Sequence, residues 1–220
     1  IPYLNAWYEK YSDEGFVIVG VHSPEFEFEK DYNNVQSAVN QYGIKYPVVQ
    51  DNNFETWRAY ENRFWPRKYL IDIDGFIRFD HIGEGAYDTT ELAIQDLLAE
   101  RASRLNLEIE MDKNISKPAN ATDVDFSQIK TPEIYLGYNF ARAPLGNEEN
   151  FVTEQVHDYT MADPSVWKNN IAYLGGEWCS APEYIELRGD GGFVGLKYSA
   201  KVVNIVAGGN GTISVWIDGK

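Results

Sequence analysis

Cys179 is the sole thiol of this 220-residue chain, and it stands between Trp178 and Ser180 in a strand-like stretch. Exchange chemistry on disulfides runs through a thiolate and a mixed disulfide, usually with a paired second cysteine. No Cys-x-x-Cys occurs anywhere, so Cys179 reads as a small buried hydrophobe rather than a nucleophile. His81 and His157 show no ligand spacing with Asp or Glu, and a zinc centre needs three or four convergent ligands. No metal and no other cofactor is expected. A different chemistry is suggested by Phe64-Trp65-Pro66, where an X-Pro turn opens a strand. A turn of that kind is an ordinary trans-Pro turn or, with a cis bond, one that aims the backbone of Trp65 at an extended partner chain, and Phe64 and Trp65 either line an apolar surface or pack into the core. His22 closes an apolar run of strand length, the edge at which α/β proteins place their sites. A structural cap for the Ser23-Pro24 turn is the favoured role. Trp57 reads as packing.

The elements that must position these residues follow from periodicity. Leu4, Trp7, Tyr8 and Tyr11 share one face of a helix over 2–14, with Pro2 in its first turn and Gly15 after it. Phe16 to Val21 is nearly all apolar, which predicts a strand buried on both faces of a parallel sheet. A helix at 31–42, a short proline-led strand at 47–51 and a short helix at 53–61 come next. Strands at 67–72 and 76–82 flank the Asp74-Gly75 turn, and a helix at 88–103 carries Leu92, Ile94, Leu97 and Leu98. Strands alternating with helices make residues 1–103 an α/β domain.

Residues 104–131 read as a linker, polar from Asp112 onward yet punctuated by Ile109, Met111 and Ile115. Those apolar residues predict that the linker packs along the α/β domain, because leaving them in water forgoes burial. They also predict that the β domain docks against it. Beyond residue 131 the pattern becomes short strand-like runs at 134–138, 171–174, 184–187, 193–198, 202–206 and 213–217. Gly175-Gly176, Gly189 to Gly192 and Gly208 to Gly211 separate them. Residues 132–220 are therefore expected to be an all-β unit of sandwich or jelly-roll type, cut short at a hairpin opened by Asp218-Gly219. Trp167, Tyr173, Trp178, Tyr184, Tyr198 and Trp216 are core residues of such a unit or a platform for sugar rings.

A net charge of −15 disfavours nucleic acid, whose phosphates would be repelled. No apolar run is long enough for a membrane span and no signal peptide is evident. The opening Ile1-Pro2-Tyr3, without Met, suggests processing or truncation.

With these residues in view, the first hundred positions resemble thioredoxin-like extracytoplasmic proteins of the TlpA and ResA kind. The matching features are the Tyr42-Gly43-Ile44 helix end, Tyr46-Pro47-Val48, Trp65-Pro66, Tyr69-Leu70-Ile71-Asp72 and Asp74-Gly75. Gly20-Val21-His22-Ser23-Pro24-Glu25-Phe26 and Trp65-Pro66-Arg67-Lys68-Tyr69 are similar to the soluble part of DipZ-type thiol:disulfide interchange proteins. Their C-terminal β domain, likened to carbohydrate-binding modules, suits residues 132–220. The resemblance implies a cis bond at Pro66 and a substrate groove at Phe64, Trp65 and Pro66. It implies a dithiol and a central strand that would lie just before Ile1. Without that strand, two inner sheet edges stay unpaired and residues 1–103 are not expected to fold alone. It further implies disulfide-containing partner proteins, a redox partner such as a membrane electron-transfer domain, and an extracytoplasmic location, periplasmic or at the cell surface, with any membrane anchor in a longer parent protein. Two functions remain open: a thiol:disulfide oxidoreductase whose cysteines lie upstream of this chain, or a cysteine-less thioredoxin-like scaffold carrying a carbohydrate- or protein-binding β module.

Overall fold

A computed structural model describes residues 1–121 and 130–218. The chain divides into two compact units, Ile1–Asp123 and Val124–Lys220. The middle of the expected linker, 122–129, and the Gly219 hairpin lie outside the described residues.

In the first unit, helix α1 (Pro2–Tyr11) passes through a 3-10 turn to Gly15, whose φ of 92° ends it in the left-handed region. Strand β1 (Gly20–His22), helix α2 (Tyr32–Gln41), strand β2 (Val48–Gln50) and helix α3 (Glu55–Ala59) follow. Strand β3 (Arg67–Ile71), strand β4 (Ile77–Ile82) and helix α4 (Tyr87–Leu105) complete the order. The helices stand close to where periodicity places them. On α4 the buried stripe is Thr90, Glu91, Ile94, Gln95, Leu98 and Ala102, while Leu92 faces solvent.

The strands depart further. β1 pairs only with β2, in parallel, and β3 only with β4, antiparallel, with an irregularity between Leu70 and Ile71. No ladder joins the two sheets among the described residues. The expected doubly buried strand over 16–21 is thus corrected to a three-residue ladder. Val17 is 71 % exposed, and Val19 and Val21 are exposed with it; among the described residues no strand pairs with β1 other than β2. The helical core of Trp7, Tyr11, Ile94 and Leu98 is met by Phe16 from before β1 and by Leu70 from β3.

The second unit is β-rich. Strand β6 (Ala172–Ser180) is its spine, pairing antiparallel with β5 (Val156–Tyr159), β7 (Ile185–Leu187) and β8 (Phe193–Leu196). Leu145, Tyr159, Ala172 and Leu174 are its buried core. Gly175-Gly176, expected as a turn, lies inside β6. A side chain there would strike Met161 or the Gly191 carbonyl, so the pair permits close approach rather than reversal. Residues 134–138, 202–206 and 213–217 form no strands, and the apolar residues of the last two are exposed. Trp167 and Tyr173 stack with centroids 5.3 Å apart and planes 12° from parallel, flanked by Gly146 and Gly195.

Candidate functional site

The exposed loop Asn62–Pro66 meets Ser23 and Trp57 through Trp65, and one carboxylate holds both of those residues. Asp51, just past β2, is 93 % shielded, and its backbone N–H continues the pairing to His22 with a bond of 2.8 Å to that carbonyl. Its Oδ1 accepts from the Thr56 amide at 2.9 Å, and its Oδ2 from the Trp57 amide at 2.8 Å and the Ser23 hydroxyl at 3.1 Å. The side chain thereby caps the first turn of α3 and holds the end of β1 against it. Burial alone would raise the Asp51 carboxyl, but the Trp57 and Thr56 amides and the Ser23 hydroxyl outweigh it and hold it below the usual range.

This clamp fixes two indoles. Trp57 and Trp65 meet with ring centroids 4.2 Å apart, Phe54 lies edge-on to Trp57, and the Trp65 indole N–H donates to the Ser23 carbonyl at 3.0 Å. The Trp65–Pro66 bond is cis. The Pro66 carbonyl accepts from the Gly83 amide at 2.8 Å, and Asn62 brackets Phe64 through bonds to its carbonyl and amide. Phe64 and Trp65 each keep 49 % of their surface in solvent. Trp65, Pro66 and the backbone of Ser23 are therefore brought together, with Phe64 beside them on the loop. The His22 imidazole Nε2 instead bonds the Glu29 carbonyl at 3.0 Å, closing the segment after β1. Trp57 is half-buried and doubles as wall and packing.

Asp51 has a sequence signal that the strand assignment hides: an acid placed a few residues before a short helix. A second group has none. Tyr3 stacks on Tyr87 at 3.9 Å, and the Lys68 ammonium lies over the Tyr87 ring and donates to the Gly85 carbonyl at 3.0 Å. Burial, together with a hydrogen bond to Glu84, pushes the Tyr87 hydroxyl up to about 12, and burial lowers Lys68. These contacts link α1, β3 and the start of α4 through residues far apart in sequence.

Elsewhere the chemistry is sparse. Cys179 sits in β6 opposite Val156 and Glu186, partly buried. No cluster of three His, Cys, Asp or Glu suited to a metal occurs among the described residues. Of the β-unit aromatics, Tyr173 is buried, whereas Tyr184 and Trp216 are exposed and Phe193 lies 6.3 Å from Trp216. No helix among the described residues is long and apolar enough to cross a membrane.

Residues 131–220 match the family described as "Thioredoxin like C-terminal domain". Protein DipZ of Mycobacterium tuberculosis is 36% identical over 222 residues, covering 100% of this chain and 30% of that protein. Human NHL repeat-containing protein 2 is 39% identical over 89 residues, 40% of this chain and 12% of its own length. Thiol-disulfide oxidoreductase ResA of Bacillus anthracis is 33% identical over 91 residues, 41% of this chain and 50% of that one. The chain thus spans under a third of its mycobacterial relative. The first unit is a thioredoxin-like α/β region without a Cys-x-x-Cys motif, and a separate β-rich domain follows it.

Proposed function

We propose that this chain is a thioredoxin-like binding scaffold, holding an extended segment of a partner protein beside Trp65 and Pro66 and carrying a β module that engages a protein or a polysaccharide. The observation that carries this reading is the aromatic pair Trp57–Trp65, locked by Ser23 and Asp51 on an exposed loop, in a chain whose only thiol lies in the other unit. An apolar wall beside the Trp65 main chain, whose N–H and C=O make no hydrogen bond among the described residues, suits an extended chain, in which main-chain bonds give affinity and side-chain pockets give preference. Trp65→Ala removes half of the pair and the bond to Ser23. Binding of an unfolded, carboxymethylated protein, followed by tryptophan fluorescence, should weaken about tenfold in that variant. Equal binding by wild type and variant would move the site elsewhere.

The likeness to thiol-disulfide oxidoreductase ResA supports a second reading, in which cysteines from outside these 220 residues act beside the same loop on disulfides of extracytoplasmic proteins. Insulin reduction by a longer form that includes the residues preceding Ile1 separates the two. Turnover there above the reductant alone, with the 220-residue chain inactive, would refute the scaffold reading, and a longer form no better than the reductant would refute the second.

A further inference from the structure

Residues 106–116, just after α4, are anchored at both ends and open in the middle. At the near end Asn106 turns into the left-handed region, and the Leu107 amide donates to the Ala102 carbonyl at 2.9 Å. At the far end the buried carboxylate of Glu91 accepts from the Ser116 amide and hydroxyl, both at 2.7 Å. It also accepts from Tyr11 at 2.9 Å and Lys10 at 3.1 Å. Lys10 also donates to the Asn114 carbonyl and pairs with Asp112 at 3.4 Å. Between the anchors, Ile109 and Met111 pack inward against the helical core while Glu108 and Glu110 face out. Among the described residues, the backbone groups of Glu108–Met111 make no hydrogen bond, and neither glutamate has a basic partner. A groove of about 740 Å³ lies alongside, with Ala99, Ala102 and Leu107 among its lining.

Open main-chain groups on a segment held at both ends can be taken up by another chain, and that anchoring lowers the cost of ordering them. Its side chains set the partner's chemistry. A chain laid along Glu108–Met111 meets two acids on one face and small apolar surface on the other. A second copy of this edge would set glutamate against glutamate, which is unfavourable across a strand pair. We infer that Glu108–Met111 is a docking edge for an extended partner segment that alternates apolar with basic side chains.

The probe is a synthetic hexapeptide alternating lysine and valine, added to the isotopically labelled full chain. The expected result is saturable amide shifts confined to residues 107–112 and slowed hydrogen exchange at those amides. A peptide of the same sequence, N-methylated at alternate amides, keeps the charge and should not bind. The exposed double variant Glu108→Lys/Glu110→Lys, checked for unchanged tryptophan fluorescence, should bind the parent peptide roughly tenfold more weakly. Equal binding of the N-methylated peptide, or shifts scattered over the acidic surface, would reduce the effect to non-specific charge and overturn the proposal. So would a complete lack of binding, or protection of the same amides by self-association without peptide.

Discussion

Each unit has a buried polar side chain that gathers several partners, and the two differ in kind. In the α/β unit it is Glu91, fully buried, an acceptor fed by four donors from α1 and from Ser116. In the β unit it is Asn147, 93 % buried. Its amide nitrogen donates to the Thr160 carbonyl at 3.0 Å and the Leu174 carbonyl at 2.8 Å, and its oxygen accepts from the Leu174 amide at 2.8 Å. A carboxylate can only accept, so it gathers donors and a cation, and its hold depends on staying ionised. An amide donates and accepts together, so it satisfies a loop and a strand in both directions without charge. The first kind of hub joins elements up to 81 residues apart and is sensitive to acid, whereas the second is indifferent to it.

Breaking the hubs tests this contrast. Glu91→Ala removes the acceptor shared by Lys10, Tyr11 and Ser116, and should cost the α/β unit about 3 kcal/mol, the order expected when one member of a buried charged network is removed. Urea unfolding with hydrogen exchange resolved by unit should show that loss and leave amides around β6 unchanged. A β6 loss as large as the first would end the idea of separate hubs. Asn147→Ala should cost the β unit about 2 kcal/mol for the unsatisfied groups at Leu174, with the same value at neutral and mildly acid pH. If that loss fades on acidification, Asn147 is not acting as a neutral hub.

Acid sharpens the comparison without mutation. Burial would raise Glu91, but the Ser116 amide and hydroxyl, Tyr11 and Lys10 hold it below the usual range, and Asp51 is likewise lowered. A carboxyl depressed in the fold contributes stability above its unfolded value, about 4.3 for Glu and 3.9 for Asp, and loses it as pH falls through the folded value. The α/β unit should therefore loosen first below about pH 4.3, starting at Ser116 and the Trp57–Trp65 loop, and the β core later. Simultaneous loss of both units in an acid titration followed by amide spectra would contradict this order. The smallest effect is expected at Arg104→Ala. Its two bonds to Asp74, at 2.6 and 3.0 Å, tie the β3–β4 turn to α4 at the surface, where pairs of exposed charges contribute little. Faster exchange at Gly75 with an unchanged unfolding midpoint is the expected pattern.

Much of the helical layer was legible because its signal is local. Trp7 and Tyr11 announce the buried face of α1, and Asp74-Gly75 announces the hairpin. Strand extent was not legible, since an apolar run declares a face but not a partner. Val17 and Val19 lack a ladder neighbour, and Val202 to Ile217 alternate without forming strands. β5 escaped notice because Val156-His157-Asp158-Tyr159 is half polar, and β6 was split because its glycines read as punctuation. At the candidate site, Phe64, Trp65 and Pro66 stand out in the sequence. Asp51 carries a local signal as a cap for α3, but its bond to Ser23 and the bond from Trp65 to Ser23 span 28 and 42 residues and leave no local trace.

The stacked pair of Trp167 and Tyr173 imposes a rule of inheritance on this chain. A Cβ at Gly146 would stand 2.1 Å from the Tyr173 ring, and one at Gly195 would stand 2.2 Å from the Trp167 ring. Such separations lie far inside van der Waals contact, so no substituted residue fits while both rings keep their places. Single-letter drift at either glycine is closed unless the facing ring shrinks first. Descendants of this sequence should therefore carry the four positions as a set, with lineages that lose an aromatic being the ones free to lose its glycine.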